Sequence, residues 1–193
     1  SELEESYNID VKGHLKLNNT MALYTNRINI DGQLTIENAS LYLDLLNLNG
    51  LLHLNGGLVQ ASIINTEQDN LFWESGTLTA KQIIGDLNNI AEGILKPEWV
   101  VRESNSSTSS PQLIVSNTSQ SFSSVYVQGN YTQGQDASLS ISIGGTSLDL
   151  YDQVIVEEAA ILNGQLDITF ENSFSPQSGD SWQLISADSI QGN

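Results

Sequence analysis

A short pattern built around glycine recurs in this chain: apolar, any residue, Gly, any residue, apolar, any residue, apolar. It appears as Val11-Lys12-Gly13-His14-Leu15-Lys16-Leu17 and again as Ile30-Asp31-Gly32-Gln33-Leu34-Thr35-Ile36. The third copy is Leu48-Asn49-Gly50-Leu51-Leu52-His53-Leu54, so Gly13, Gly32 and Gly50 stand at nearly even intervals. Weaker echoes lie at Gly76 and Gly85, stronger ones at Gly129 (VQGNYTQ) and Gly164 (LNGQLDI). A period of about 20 residues, with strand-like alternation around a glycine, marks a β-solenoid coil. One coil cannot bury its own apolar face, so coils must stack and their inward residues form a ladder. The glycine is expected where the chain bends between two strands and needs permissive backbone angles. The expected fold is all-β, a β-solenoid; ordinary hairpins in a β-sandwich are the alternative, since they also produce alternating strands.

The last third, Val125 to Gly192, alternates apolar and polar residues in VYVQGNYTQ, ASLSISIGG, YDQVIVEEAAILNGQLDITF and SPQSGDSWQLISADSIQG. Its breaks fall at Gly, Asn, Asp and Pro, the residues that close tight turns. Three regions are expected: solenoid coils over 1–102, a Ser/Thr/Asn-rich loop or linker over 103–124, and a C-terminal β block over 125–193 that continues or caps the solenoid. Two segments strain this reading. In SLYLDLLNLNG (residues 40–50) the alternation changes phase at Leu45-Leu46, as at a bulge or a turn between strands. In residues 79–97, Ala80, Ile84, Leu87, Ala91 and Leu95 follow helical spacing. Gly85 and Gly93 would cost such a helix about 2 kcal/mol relative to Ala, which favours strand.

The charge balance narrows the partners. There are 23 acidic and 6 basic residues, a net charge of −17, and the basic residues are Lys12, Lys16, Arg27, Lys81, Lys96 and Arg102. Beyond Arg102 stand ten Asp and Glu and no Lys or Arg. Such a surface repels phosphate backbones and anionic lipid headgroups, so neither nucleic acid nor direct membrane insertion is expected. No apolar run approaches the ~20 residues of a membrane-spanning helix. The absence of cysteine removes disulfides, thiolate metal sites and thiol nucleophiles together. The opening SELEES has no signal-peptide character, which suggests a cleaved leader or an excised fragment.

Between Gly76 and Gly192, about 60% of the chain, the order of motifs resembles the distal passenger region of autotransporter-like and filamentous-haemagglutinin-like bacterial surface proteins. The segments that carry it are GTLTAKQIIGDLNNIAEGILKP, VYVQGNYTQGQDASLSISIGG, YDQVIVEEAAILNGQLDITF and FSPQSGDSWQLISADSIQG. The resemblance implies a right-handed parallel β-helix, secretion to the cell surface or medium, and an adhesin-stalk or scaffold role. Two departures stand out: Glu157-Glu158 occupies a place where Gly-Thr is commoner, and LKPEWVV with the Ser-rich loop replaces a Ser-Pro-Gly step.

Residue types that carry chemistry are sparse. His14 and His53 occupy polar slots beside Gly13 and Gly50, without zinc spacing. There is no Gly-x-Ser-x-Gly elbow, phosphate loop or Ser-x-x-Lys pair. Lys81 or Arg102 beside Asp86 is the one acid–base grouping available to sugar chemistry, and no spacing singles it out. The expectation is a non-enzymatic segment without cofactors. Structural calcium is the alternative, with Asp136, Asp149, Asp152 and Asp180 as hard oxygen ligands, although Asp152 reads better as a turn cap. Partners in view are further copies of the chain, which would give an end-to-end fibre, or glycans and other surface polymers, which would make it a polysaccharide-binding module. For sugar stacking the candidates are Trp99, Trp73 and Tyr131; Trp182 reads as core. Five Asn-x-Ser/Thr sequons, at Asn18, Asn38, Asn105, Asn117 and Asn130, are glycosylation candidates in a host that modifies them.

Overall fold

The computed structural model describes residues 7–19, 21–66, 70–97 and 122–192. In chain order the strands are β1 (Asn8–Val11), β2 (His14–Asn18), β3 (Ala22–Tyr24), β4 (Arg27–Ile30), β5 (Gln33–Leu48), β6 (Leu51–Thr66), β7 (Leu71–Ile84), β8 (Leu87–Asn89) and β9 (Glu92–Leu95). They continue as β10 (Ser124–Val127), β11 (Tyr131–Gln133), β12 (Ser138–Ile143), β13 (Gln153–Val156), β14 (Ala159–Leu162), β15 (Gln165–Phe170), β16 (Ile185–Ser186) and β17 (Ser189–Gly192). A single 3-10 turn, Leu148–Leu150, interrupts them among the described residues.

Each of the described ladders is parallel, apart from one isolated antiparallel bridge between Ile143 and Tyr151. The hairpins of a sandwich would have produced antiparallel pairing, so that alternative does not describe this chain. The architecture is all-β with parallel sheets and is consistent with a β-solenoid. The long strands β5, β6 and β7 each run through corners. Gln33 pairs with Leu51 and Leu48 with Thr66, so the offset from one coil to the next stays constant along the whole of β5.

That offset lines up like residues. One column runs Leu23, Leu41, Val59, Leu78, Leu95, Leu139 and Leu166. A second runs Ile9, Ile28, Leu46, Ile64, Ile83, Val127 and Val156. The middle members of both are fully buried and belong to one continuous core. Each such side chain stabilises by roughly 1.5–3 kcal/mol on burial. The strands on either side of residues 98–121 pair directly, Ile83 with Val127 and Leu95 with Leu139.

Three kinds of corner turn the chain. Asn19, Asn38, Gly56 and Gly76 recur at one corner with φ of 52°, 52°, 79° and 96°. This left-handed region suits Gly and Asn and penalises branched side chains. Asn38→Val is therefore expected to lower stability by about 1–3 kcal/mol, with Asn38→Gly near neutral, in urea titrations. Gly32 and Gly50 occupy another corner and correct the expected reason for them, whereas the repeat glycines Gly76, Gly85 and Gly164 do take the permissive positive φ. Gly32 and Gly50 do not have positive φ. A Cβ on Gly32 would run into the carbonyl oxygen of Gly13, and one on Gly50 into that of Gly32. Close stacking of backbones requires these glycines.

The phase change at Leu45-Leu46 is a third corner. The N–H groups of Asp44 and Leu45 both reach the carbonyl of Asn26 at 3.0 Å, and the exposed Asp44 is flanked by the buried Leu43 and Leu46 on the two sides of this corner. Residues 79–97 are strands. Ala80, Leu87 and Leu95 are buried from β7, β8 and β9 in turn, while Ile84 is exposed, so their helical spacing is coincidental. Residues 103–121 of the expected loop lie outside the described residues.

Candidate functional site

The outward positions build ladders of their own. Asp10, Asn29, Asn47 and Asn65 face the same way on successive coils. Each Asn side-chain amide donates to the residue one coil before it, at 2.6, 2.7 and 2.6 Å. The series stops at Asn65, whose register neighbour on the next coil is Ile84. Sequence reasoning missed this ladder, although the Ile-Asn or Leu-Asn step that recurs once per coil signals it. Elsewhere on the same sheet Lys16 pairs with Glu37 at 2.7 Å, and Tyr24 stacks on Tyr42 with ring centroids 4.9 Å apart.

The histidines do not form a centre. His14 Nε2 lies 2.9 Å from Thr35 Oγ1, and His53 Nε2 lies 3.0 Å from Glu74 Oε2 with its ring edge-on to Phe72. Asp86 is occupied by Asn130, accepting its backbone N–H at 2.8 Å and its side-chain amide at 3.1 Å. Arg102 lies outside the described residues.

Two of the sugar-stacking candidates are corrected by burial. Trp73 is 3% exposed, its indole donating to the Gly76 carbonyl at 3.2 Å. Tyr131 is 0% exposed and donates to Gln133 Oε1 at 3.0 Å. Burial pushes the Tyr131 hydroxyl well above the ordinary phenol range, opposed by a hydrogen bond with Asn89. Neither ring offers a face to a sugar. Trp99 lies outside the described residues. Trp182 is half-buried, donates to the Gly145 carbonyl at 2.7 Å, and joins Phe170 and Phe174 in an aromatic cluster.

Among the sequons, Asn38 is exposed at its corner and Asn18 is half-buried. Asn130 is corrected. Its amide nitrogen donates to Asp86 at 3.1 Å and to Glu158 at 2.8 Å, while its oxygen accepts the Ala159 N–H at 3.2 Å. A glycan there would break bonds that join three coils. Asn105 and Asn117 lie outside the described residues.

The carboxylates named for calcium are spread over separate duties. Asp152 is fully buried and accepts the N–H groups of Ser123 and Ser142, each at 2.9 Å, which is the capping role. Asp180 accepts the Gln177 N–H at 2.8 Å within a local turn. Asp136 and Asp149 are exposed. Among the described residues no three His, Asp or Glu side chains are grouped so as to hold a metal ion.

The feature that departs from the surrounding pattern is the far end of the C-terminal block. By register, Leu166, Ile168, Phe170 and Ile190 continue the inward positions of Leu139, Ile141, Ile143 and Ala160. Those four partners are at most 1% exposed, whereas the last-coil residues are 47, 44, 47 and 54% exposed. Among the described residues the Phe170–Phe174–Trp182 cluster packs at one corner of this end. No protein-family model, curated protein or solved structure matched this chain.

Proposed function

We propose that the chain is a non-enzymatic segment of an extracellular scaffold, a right-handed parallel β-helix serving as the stalk of an adhesin-type surface protein. The observation that carries this reading is the unbroken inward column from Leu23 to Leu166. A column of this kind joins each coil only to its neighbours, so the body gains length without gaining thickness. The outward faces carry Asn ladders, local ion pairs and committed carboxylates rather than a converging acid, base and nucleophile. The acidic, cysteine-free composition suits a soluble surface outside a bacterial cell.

Antibody fragments raised against the 193-residue chain should label intact cells of its source without permeabilisation. Label that appears only after permeabilisation would overturn the surface location.

A further inference from the structure

The geometry points to Asn55 as a site of self-modification: the Gly56 backbone nitrogen attacks its side-chain amide, ammonia leaves, and water opens the ring that results. The inference goes beyond the scaffold reading and does not depend on it.

Three Asn-Gly steps occur in the chain, Asn49-Gly50, Asn55-Gly56 and Asn163-Gly164. Glycine after asparagine leaves no Cβ in the path of the nitrogen, so each step has the composition to close a cyclic imide. The dipeptide by itself does not choose among them. In a folded chain the nitrogen must be able to approach the amide carbon, and the amide oxygen must be stabilised as it gains charge.

Two of the steps are held. The Gly50 N–H donates to the Ile30 carbonyl at 2.5 Å, and the Asn49 N–H donates to the same oxygen at 3.0 Å. The Asn49 side-chain amide donates to Asp31 Oδ1 at 3.0 Å. Asn163 N–H donates to the Gln133 carbonyl at 3.0 Å, and Gln165 N–H to that of Ala137 at 3.0 Å. Gly50 lies against the Gly32 carbonyl, and Gly164 against those of Gly134 and Ala137. Rotation at either step therefore breaks bonds between coils and moves closely packed backbone.

Asn55 differs on both counts. It is exposed, and the register of β6 with β7 shifts on each side of it, between Leu54 and Asn55 and between Asn55 and Leu58. Gly56 has no register partner on β5 or β7 among the described residues. With Gly57 it forms a stretch without a Cβ, at φ of 79° and 82°. Nearest to Gly56 is the side-chain oxygen of Asn38, which can swing aside as a carbonyl in a ladder cannot. The Ser75 hydroxyl donates to Asn55 Oδ1 at 3.1 Å. That bond draws electron density from the amide carbon and stabilises the charge on the oxygen when the nitrogen adds.

The Gly56 nitrogen gives its proton to water and bonds to Asn55 Cγ. The bond from Cγ to Nδ2 breaks, and ammonia departs with a proton taken from water. Water then opens the imide at one carbonyl or the other, leaving an aspartyl residue or an isoaspartyl residue whose main chain runs through the side-chain carbon. Either product places a carboxylate beside Glu37, the register partner of Asn55, which already engages Lys16 at 2.7 Å. Like charges on neighbouring strands repel.

The test incubates the folded 193-residue chain in mildly alkaline buffer and follows each Asn-Gly peptide by chromatography and mass spectrometry. Asn55 should convert at least ~10-fold faster than Asn49 or Asn163, equivalent to about 1.4 kcal/mol in the barrier. In the urea-unfolded chain the three should agree within roughly 3-fold, because little beyond local sequence then acts on them. Ser75→Ala should slow Asn55 alone by roughly 3- to 10-fold, the range of one net hydrogen bond. Ser75→Thr keeps the hydroxyl and should keep the rate. Asn49 in the same sample reports on folding, since an unfolded variant would speed its conversion.

Equal rates at the three steps in the folded chain, or a faster Asn49 or Asn163, overturn the assignment. So does an Asn55 that stays intact in the folded chain while the unfolded chain converts. A Ser75→Ala chain that converts at the wild-type rate overturns the part given to the hydroxyl.

Discussion

Gly32→Ala should destabilise the chain by about 3 kcal/mol or more, at the upper end of what overpacking a close contact costs. The added methyl meets backbone atoms of Lys12 and Gly13, and backbone held in a parallel ladder cannot rotate aside as a flexible side chain would. The first coil must lift from the second, which weakens the pairs of β1 with β4 and of β2 with β5. In a body of this size the loss corresponds to roughly 6–12 °C in Tm. Gly13→Ala, in the same slot of the repeat, should stay within about 0.5 kcal/mol of wild type, as exposed substitutions do. Paired thermal and urea titrations check both values. Equal losses at the two positions would mean that the glycine is needed for the turn itself and not for stacking.

Asp152→Ala should lower stability by about 3–5 kcal/mol, because it strips a buried carboxylate from the N–H groups that it satisfies. Ser123 lies just before β10 and Ser142 near the end of β12, and the Asp152 N–H in turn donates to the Ser142 carbonyl at 2.9 Å. One side chain thus ties the entry of a coil to its exit. Asp152→Asn keeps one acceptor oxygen but turns an amide N–H toward a backbone N–H, so it should lose about half as much. In urea the midpoint should fall with an unchanged m-value. A loss below about 1 kcal/mol for Asp152→Ala would show that solvent replaces the carboxylate, contrary to its full burial.

Particular residues show what could be read beforehand. The Gly-centred repeat leads directly to parallel stacking, because apolar alternation at a fixed spacing has few other ways to bury itself. The helical spacing of Ala80, Leu87 and Leu95 misleads. Three inward residues on three separate strands fall at that spacing by chance, and a one-dimensional pattern cannot see the corners between them. Trp73 and Tyr131 mislead in another way: an aromatic inside an alternating strand has the same sequence signature whether it faces a sugar or the core. The hydrogen bond of Asn130 to Asp86 spans 44 residues, across an interval whose length follows no repeat, so nothing local announces it.

The sequence by itself determined the all-β class, the regular spacing of the coils, the division into inward and outward positions, and the acidic stretch beyond Arg102 that lacks Lys and Arg. All of these are local or additive properties, written in side-chain polarity at a regular interval. The tertiary structure alone decided why Gly32 must be glycine, which carboxylate is buried as a cap, and that the row Leu166, Ile168, Phe170 and Ile190 is about half exposed among the described residues. Those depend on how closely one coil's backbone approaches the next. That distance is set by stacking between residues far apart in the chain, and no run of neighbouring residues encodes it.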